Sequence, residues 1–240
     1  MNKIKCLSNN TLKIIACISM FCDHLGFLVF PDQIIYRIIG RIAFPIFAFM
    51  LAEGAFYTKN KIKHLLIIGW LAIIMQIVLF YFTGMTDFSI FIHFTFSIFL
   101  IRLLDYFIDN LKTKSYIYAV LGFLGFILLG SSLYLLTEHT TYFFMNYGFI
   151  GIMMPVLIYI VKKYVPRFKN LIITLLMIIL LAYHAKLLNF PINNYALISV
   201  LLLQFYNGKR GKLKLKYFFY LFYPLHFVVI YAISILKTLM

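Results

Sequence analysis

Asp23 and His24 lie side by side in the first apolar segment, within "ISMFCDHLG", and their side chains can perform acid–base chemistry. A carboxylate beside an imidazole can fix one tautomer of the ring or stabilise its protonated form. Neighbouring helical residues point about 100° apart, so each side chain can instead serve a different partner. Ordinary interhelical hydrogen bonds are the structural alternative.

The second apolar segment carries Arg37 and Arg41, one helical turn apart and therefore on one face. Arg41 lies deeper and needs a counter-charge, and the matching depth of Asp23 predicts that these two pair. Arg37 lies near the outer end, where it can simply extend to the membrane surface. Pro45 leaves the carbonyl of Arg41 without its helical donor, which predicts a kink.

The last apolar segment reads "YFFYLFYPLHFVVIY" and places Tyr220, Tyr223 and His226 at intervals of three residues, so that successive members share a face. A belt of interfacial aromatics explains tyrosines at the ends of such a segment but not a histidine in its middle. Elsewhere, Arg102 and Asp105 are three apart and predict a structural pair.

Composition shows which elements must position these groups. The 240 residues are 64% hydrophobic and 12% charged, with a mean hydropathy of +0.96, whereas globular domains are about 45–50% apolar. Lipid is the remaining solvent for that surface. We therefore predict an all-α integral membrane protein, with residues 1–240 forming a single transmembrane domain.

Segments of about 20 mostly apolar residues are long enough to cross a bilayer. Nine candidates predict a polytopic bundle, and the eighth is short enough to be tilted, broken or re-entrant. They are roughly residues 12–30, 34–57, 65–83, 89–108, 116–136, 143–161, 171–188, 195–206 and 217–236.

The basic residues predict the orientation. With the N-terminus inside, 16 of the 22 Lys and Arg residues fall in cytoplasmic segments, and only Lys186 and Lys237 fall outside. This asymmetry favours a cytoplasmic N-terminus, an external C-terminus and an odd number of spans.

The net charge of +15 does not indicate a nucleic-acid partner, because the cations cluster at segment borders and not along one amphipathic face. Such clusters are typical of orientation signals and of contacts with membrane lipid. The three cysteines, Cys6, Cys17 and Cys22, lack metal-ligand spacing with a histidine, so no metal site is predicted.

Four motifs in order, "LKIIACISMFCDHLG", "IIGRIAFPIFAFMLAEG", "YNGKRG" and "YFFYLFYPLHFVVIY", resemble the TraX family from about Leu12 to Tyr231. That family is named for a conjugation-plasmid protein needed for N-terminal acetylation of pilin. It is similar to a wider set of membrane acyltransferases with a key histidine ending a first-helix motif, here His24. The first-helix arginine common in sugar O-acetyltransferases has no equivalent in this chain, where Lys13 lies nearest.

The resemblance implies acetyl-CoA as the acyl donor. His24 would then take a proton from the acceptor or carry the acyl group, with Asp23 beside it, and His226 would be the next candidate base. Arg41 or Tyr223 would stabilise the developing oxyanion. Gly208, Lys209 and Arg210 would hold the donor's phosphates in a flexible basic loop, unless that loop is only an orientation signal. Glu53, near the inner end of the second segment, is assigned to the same cofactor.

These expectations describe a transferase that acetylates a peptide N-terminus, an amino sugar or a glycan hydroxyl at the bacterial cytoplasmic membrane. The alternative is a proton-coupled transporter or flippase that uses the same buried Asp, His and Arg groups as a relay.

Overall fold

Helices make up nearly all of the backbone that the structure describes. A computed structural model describes residues 5–84, 88–139, 146–187 and 191–239. Within these residues the only strand-like pairing is one isolated parallel bridge between Leu7 and Tyr206. The predicted all-α class is confirmed. The elements are α1 (Asn9–Leu28), α2 (Ile34–Gly40), α3 (Ala43–Tyr57), α4 (Lys61–Thr83), α5 (Ile90–Lys112), α6 (Tyr116–His139), α7 (Gly148–Tyr164), α8 (Lys169–Leu187), a 3-10 helix (Pro191–Leu197), α9 (Ile198–Gln204) and α10 (Lys216–Thr238).

Seven helical stretches in the described residues are long and apolar enough to cross a membrane. Large apolar side chains on them face outward: Trp70 is 63% exposed, Tyr81 80% and Ile117 77%. Lipid is the solvent that makes such exposure favourable. The chain is therefore a multi-pass membrane protein. The stretches are Asn9–Leu28, Ile34–Tyr57, Lys61–Phe82, Ile90–Lys112, Tyr116–His139, Lys169–Leu187 and Tyr217–Thr238.

Two of the nine predicted spans correspond to shorter elements. The sixth, 143–161, is found as α7, which has 17 residues and contains Pro155; residues 143–145 lie outside the described residues. The eighth, 195–206, is divided between the 3-10 helix and the seven-residue α9. Residue 188, predicted to end the seventh span, also lies outside the described residues.

The chain divides into two compact units. The first unit consists of Met1–Met50, Val78–Gly84 and Asn170–Met240, and the second of Leu51–Ile77 and Met85–Lys169. That residues 1–240 act as a single domain stays a prediction.

In the first unit, α1 packs closely against α2 because glycine removes side chains at their contact. A Cβ on Gly26 would lie 2.5 Å from the Cβ of Tyr36, and a Cβ on Gly40 would overlap the side chain of Asp23. Small residues allow membrane helices to approach closely. This approach brings the polar residues of the two helices into contact.

In the second unit, α5 packs against α6 and α7. A Cβ on Gly122 of α6 would lie 2.9 Å from the ring of Tyr106 on α5. Ser97 of α5 donates to the carbonyl of His93 at 2.8 Å and lies 2.7 Å from the carbonyl of Ile152 on α7. A buried hydroxyl thus ties two helices together.

Candidate active site

Helices α1 and α10 run side by side in the same direction. Near their starts, the ammonium of Lys13 lies 5.5 Å from the ring centroid of Phe219. Near their ends, the Nζ of Lys237 donates to the carbonyl of Val29 at 2.6 Å. Because the residue numbers rise together along both helices, the two helices are parallel.

A pair of histidines joins these helices between those two contacts. The Nδ1 of His24 lies 2.9 Å from the Nε2 of His226, and the Nδ1 of His226 lies 3.2 Å from the carbonyl oxygen of Phe222. A carbonyl only accepts, so the Nδ1 of His226 carries the hydrogen and its Nε2 accepts from the Nδ1 of a neutral His24. The Nε2 of neutral His24 then carries a lone pair that this chain of bonds does not use.

Aromatic rings enclose the histidine pair. The Phe222 ring stacks on His226 at 5.4 Å and 3°, and Phe227 lies 4.6 Å from His24 and 4.4 Å from His226, centroid to centroid. His226 and Phe227 are each 2% exposed. This packing fixes both imidazoles, and in such a poorly solvated place their hydrogen bond is stronger than in water.

Tyr223 lies one helical turn before His226 on the same face of α10. It is buried, and its ring packs 5.5 Å from that of Phe47. The predicted face shared by Tyr223 and His226 is therefore present.

Asp23 binds two guanidinium groups beside His24. Its Oδ1 lies 2.7 Å from Nη2 of Arg41 and 3.1 Å from Nη1 of Arg37, and Nη1 of Arg41 donates to Oδ1 of Asn193 at 3.4 Å. The predicted Asp23–Arg41 pair is confirmed as a contact. Among the residues that the structure describes, one carboxylate therefore faces two guanidiniums at this cluster.

The second span is interrupted next to these arginines, with Arg37 in the last turn of α2 and Arg41 directly after α2. Helix α2 ends at Gly40 and α3 begins at Ala43, so Pro45 lies in the first turn of α3, where no backbone N–H is required. The expected kink therefore takes the form of a two-residue turn, Arg41 and Ile42, between α2 and α3. Ser19 of α1 donates to the carbonyl of Ile39, which helps to satisfy the backbone at the break.

The loop after α9 folds onto the start of α1. The backbone N–H groups of Asn9 and Asn10 donate to the carbonyls of Lys209 at 2.8 Å and Arg210 at 3.1 Å. Gly208 and Gly211 adopt positive φ of 73° and 96°, a conformation that glycine accepts most easily.

This loop holds the cations predicted to bind the donor. The side chains of Lys209 and Arg210 are exposed, and Lys13 lies near enough to Arg210 to repel it electrostatically. Within the described residues, none of the three has a carboxylate within 4.0 Å. The loop end of the first unit therefore carries uncompensated positive charge.

Glu53 lies in the second unit, where it is 5% exposed and accepts a hydrogen bond from Lys162. The Lys162 ammonium also lies 5.1 Å from the ring centroid of Phe56 and 4.6 Å from that of Tyr57. Glu53 is thus the counter-charge of a buried lysine. Its predicted role at the cofactor stays a prediction.

The sequence profile described as TraX protein matches residues 8–234, nearly the whole chain. The chain belongs to the TraX family. The match includes the histidine pair and the basic loop with Gly208, Lys209 and Arg210. It also includes the Asp23 cluster, which consists of Asp23, Arg37, Arg41 and Asn193.

Two curated relatives resemble parts of this TraX-family chain. One is the uncharacterized protein RP591 of Rickettsia prowazekii (strain Madrid E), 42% identical over 69 residues, which are 29% of this chain and 27% of the relative. The other is a probable fimbrial assembly protein, FimC of serogroup H1, from Dichelobacter nodosus. It is 38% identical over 58 residues, 22% of this chain and 24% of the relative. The chain thus aligns with about a quarter of each. No solved structure gives a significant match.

The first unit contains Asp23, His24, Arg41, Tyr223 and His226, with Gly208, Lys209 and Arg210 on its loop. Direct contacts join Asp23 to Arg41 and His24 to His226.

Sequence reasoning missed two members of the Asp23 cluster. Arg37 lies near the outer end of its segment, where extension to the membrane surface was an equally good prediction. Its spacing of one helical turn from Arg41 was the available signal for a shared partner. Asn193 lies in what was predicted to be an outer loop, and the adjacent polar residues "NN" were the only sign of it.

Proposed function

We propose that this TraX-family protein is a membrane-embedded acetyltransferase that moves an acetyl group from cytoplasmic acetyl-CoA to an amine or hydroxyl acceptor. The observation that carries the proposal is the bonded series from the Phe222 carbonyl through His226 to His24, which leaves a basic nitrogen on His24. A peptide N-terminus, such as that of a pilin, an amino sugar and a glycan hydroxyl are the acceptor classes.

His24 acts as the general base in this mechanism. Its Nε2 takes the proton from the acceptor as the acceptor's N or O bonds to the acetyl carbonyl carbon. His226 accepts the hydrogen bond from the other side of the ring and stabilises the imidazolium. The same proton then passes to the leaving sulfur as the carbon–sulfur bond breaks, which returns His24 to its starting form.

The Asp23 cluster supplies positive charge beside that base. As the acetyl oxygen becomes negative, Arg41, together with Arg37, stabilises it electrostatically. Asp23 holds both guanidiniums in place and offsets part of their charge, and the buried Tyr223 hydroxyl is a further donor candidate.

The basic loop holds the donor's phosphates through Lys209 and Arg210, with Gly208 giving the backbone its turn. Lys13 adds a third cation from α1. Lys13 and His24 are eleven residues apart on one face of α1, about 16 Å at the rise of an α-helix. An extended phosphopantetheine arm is of comparable length, so the arm can follow the line between α1 and α10.

The proposed topology has nine crossings, with the N-terminus inside and the C-terminus outside, in a bacterial cytoplasmic membrane. The parallel course of α1 and α10 supports its odd number of crossings, because parallel first and last spans require one. Reporter fusions at Lys163 and Lys212 should report cytoplasm and a fusion at Met240 the outside. A cytoplasmic Met240 reporter would contradict nine crossings.

The test is transfer by purified protein in detergent, supplied with radiolabelled acetyl-CoA and a panel of peptide, amino-sugar and glycan acceptors. Acetyl transfer and binding competed by free CoA are expected, and a transporter would show neither. Mass spectrometry of peptides and glycans from cells with and without the gene identifies the acceptor. If no peptide or glycan differs between those cells and purified protein does not bind acetyl-CoA, the proposal is wrong.

A further inference from the structure

A second carboxylate, Asp105 of α5, gathers four partners within the described part of the second unit. Its Oδ2 lies 3.1 Å from Lys61 Nζ and 3.1 Å from Arg102 Nη1, and its Oδ1 lies 2.5 Å from Lys163 Nζ. The hydroxyl of Tyr159 donates to Oδ1 at 2.6 Å. We call these five residues the Asp105 cluster.

The Asp105 cluster holds more positive charge than its carboxylate needs. Asp105 is 2% exposed and carries one negative charge against three cations. Asp109 lies 3.6 Å from Lys61, but its side chain is 56% exposed, so it is largely screened by solvent. Even with Asp109 counted, one positive charge remains uncompensated, whereas a structural ion pair needs only balance.

Arg102 also has donors that the cluster does not use. Its side chain is 13% exposed, and its Nε and Nη2 atoms are buried without a hydrogen-bond partner among the described residues. Leaving buried charged donors unbonded costs free energy, so such donors normally bond to a protein group, an ordered water or an ion. A guanidinium edge formed by Nε and one Nη matches two oxygens of a phosphate group.

We propose that the Asp105 cluster is a binding site for a phosphate group, with Arg102 as the bidentate ligand and Lys61 and Lys163 as supporting charges. Asp105 holds the three cations together. The site lies toward the end of α5 that the basic residues place at the cytoplasmic face, where both a soluble phosphorylated molecule and an anionic lipid headgroup have access. The proposal is independent of transfer chemistry at His24.

Inorganic pyrophosphate is the probe for the soluble source. Its binding to purified protein in detergent is measured by the rise in thermal midpoint, since a ligand of the folded state stabilises it. Arg102→Lys keeps the charge but removes the paired guanidinium donors, and we expect pyrophosphate to bind about tenfold more weakly. Lys61→Gln, at a half-exposed position, should fold and weaken binding less. Arg167→Gln removes the same charge from an exposed position in the same unit and should bind normally.

The lipid source is tested with the same proteins in mixed micelles containing phosphatidylglycerol or phosphatidylcholine, with bound lipid counted by native mass spectrometry. Stabilisation by pyrophosphate that depends on Arg102 indicates a soluble ligand, and selective retention of phosphatidylglycerol that depends on Arg102 indicates a headgroup. If wild-type protein and Arg102→Lys behave alike with both probes, the Asp105 cluster is a structural ion network and the proposal is wrong.

Discussion

Asp23 in the first unit and Asp105 in the second are both charged carboxylates stabilised by cations, but their surroundings differ. Each is a carboxylate in a membrane helix, and each binds more than one cation. Asp23 has a side chain that is 19% exposed and two arginines, whereas that of Asp105 is 3% exposed and contacts two lysines, an arginine and a tyrosine.

The difference lies in what stands beside each carboxylate. His24 follows Asp23 directly and shares a hydrogen bond with His226, so an imidazole that can take a proton neighbours in sequence the carboxylate that binds two guanidiniums. The partners of Asp105 are hydrogen-bond donors, and none of those described is a base near neutral pH. The first cluster is therefore equipped to move a proton and the second to hold an anion.

The sharpest test of this contrast is His24→Gln. Loss of a general base lowers rates by about 10²–10⁴-fold, so transfer should fall by that amount while acetyl-CoA binding and folding persist. His139→Gln, at an exposed position of α6, is the matched control and should remain active. A well-folded, active His24→Gln protein would remove the imidazole from the mechanism and leave His226 as the next candidate.

Removing the carboxylates compares the two clusters in stability. Asp105→Asn leaves three cations around a buried amide, and breaking a buried ion pair costs about 3–5 kcal/mol. Asp23→Asn should cost less, because Asp23 and Arg37 are partly exposed, yet it should also lower activity. Thermal denaturation in detergent measures both variants. Equal loss of stability would show that burial does not separate the two clusters.

A smaller effect is expected from Gly40→Ala, which tests whether the Asp23 cluster depends on the close approach of α1 and α2. The added Cβ overlaps the side chain of Asp23, and overpacking typically costs about 1–3 kcal/mol. Gly130→Ala places the same methyl group where no described atom lies within 4 Å and should be neutral or stabilising. Identical stability and activity of the two variants would contradict the tight contact.

The smallest effect concerns the loop. Replacing Lys209 and Arg210 together with Gln should weaken acetyl-CoA binding about tenfold, because two charge-assisted contacts are lost at an exposed site. Lys212→Gln with Lys214→Gln removes the same charge nearby and is the control. If both double variants bind acetyl-CoA equally, the loop serves only to orient the chain.

The sequence was sufficient for local properties. Hydropathy identified the long helices because a stretch of about 20 apolar residues can be recognised without reference to the rest of the chain. The Asp23–Arg41 contact was also predictable, since both residues lie at similar depth in consecutive helices.

Contacts between distant segments were not predictable in this way. His24 and His226 were each identified, but their hydrogen bond depends on α1 packing against α10, which no local pattern encodes. Glu53 and Lys162 belong to helices about 100 residues apart, so the predicted cofactor role could not be weighed against that contact. The sequence indicated that the eighth apolar segment is short, but it did not indicate the 3-10 helix that precedes α9.

The separation of 202 positions between His24 and His226 also has a consequence for biosynthesis. At about 5–20 residues per second, the ribosome needs roughly 10–40 s to make the second imidazole after the first. During that interval the nascent chain already holds Asp23, Arg37 and Arg41, so the ion pairs between two consecutive segments can form. The histidine pair can be assembled only when the last helix enters the bilayer, so a prematurely terminated chain would hold the Asp23 ion pairs but lack the histidine pair.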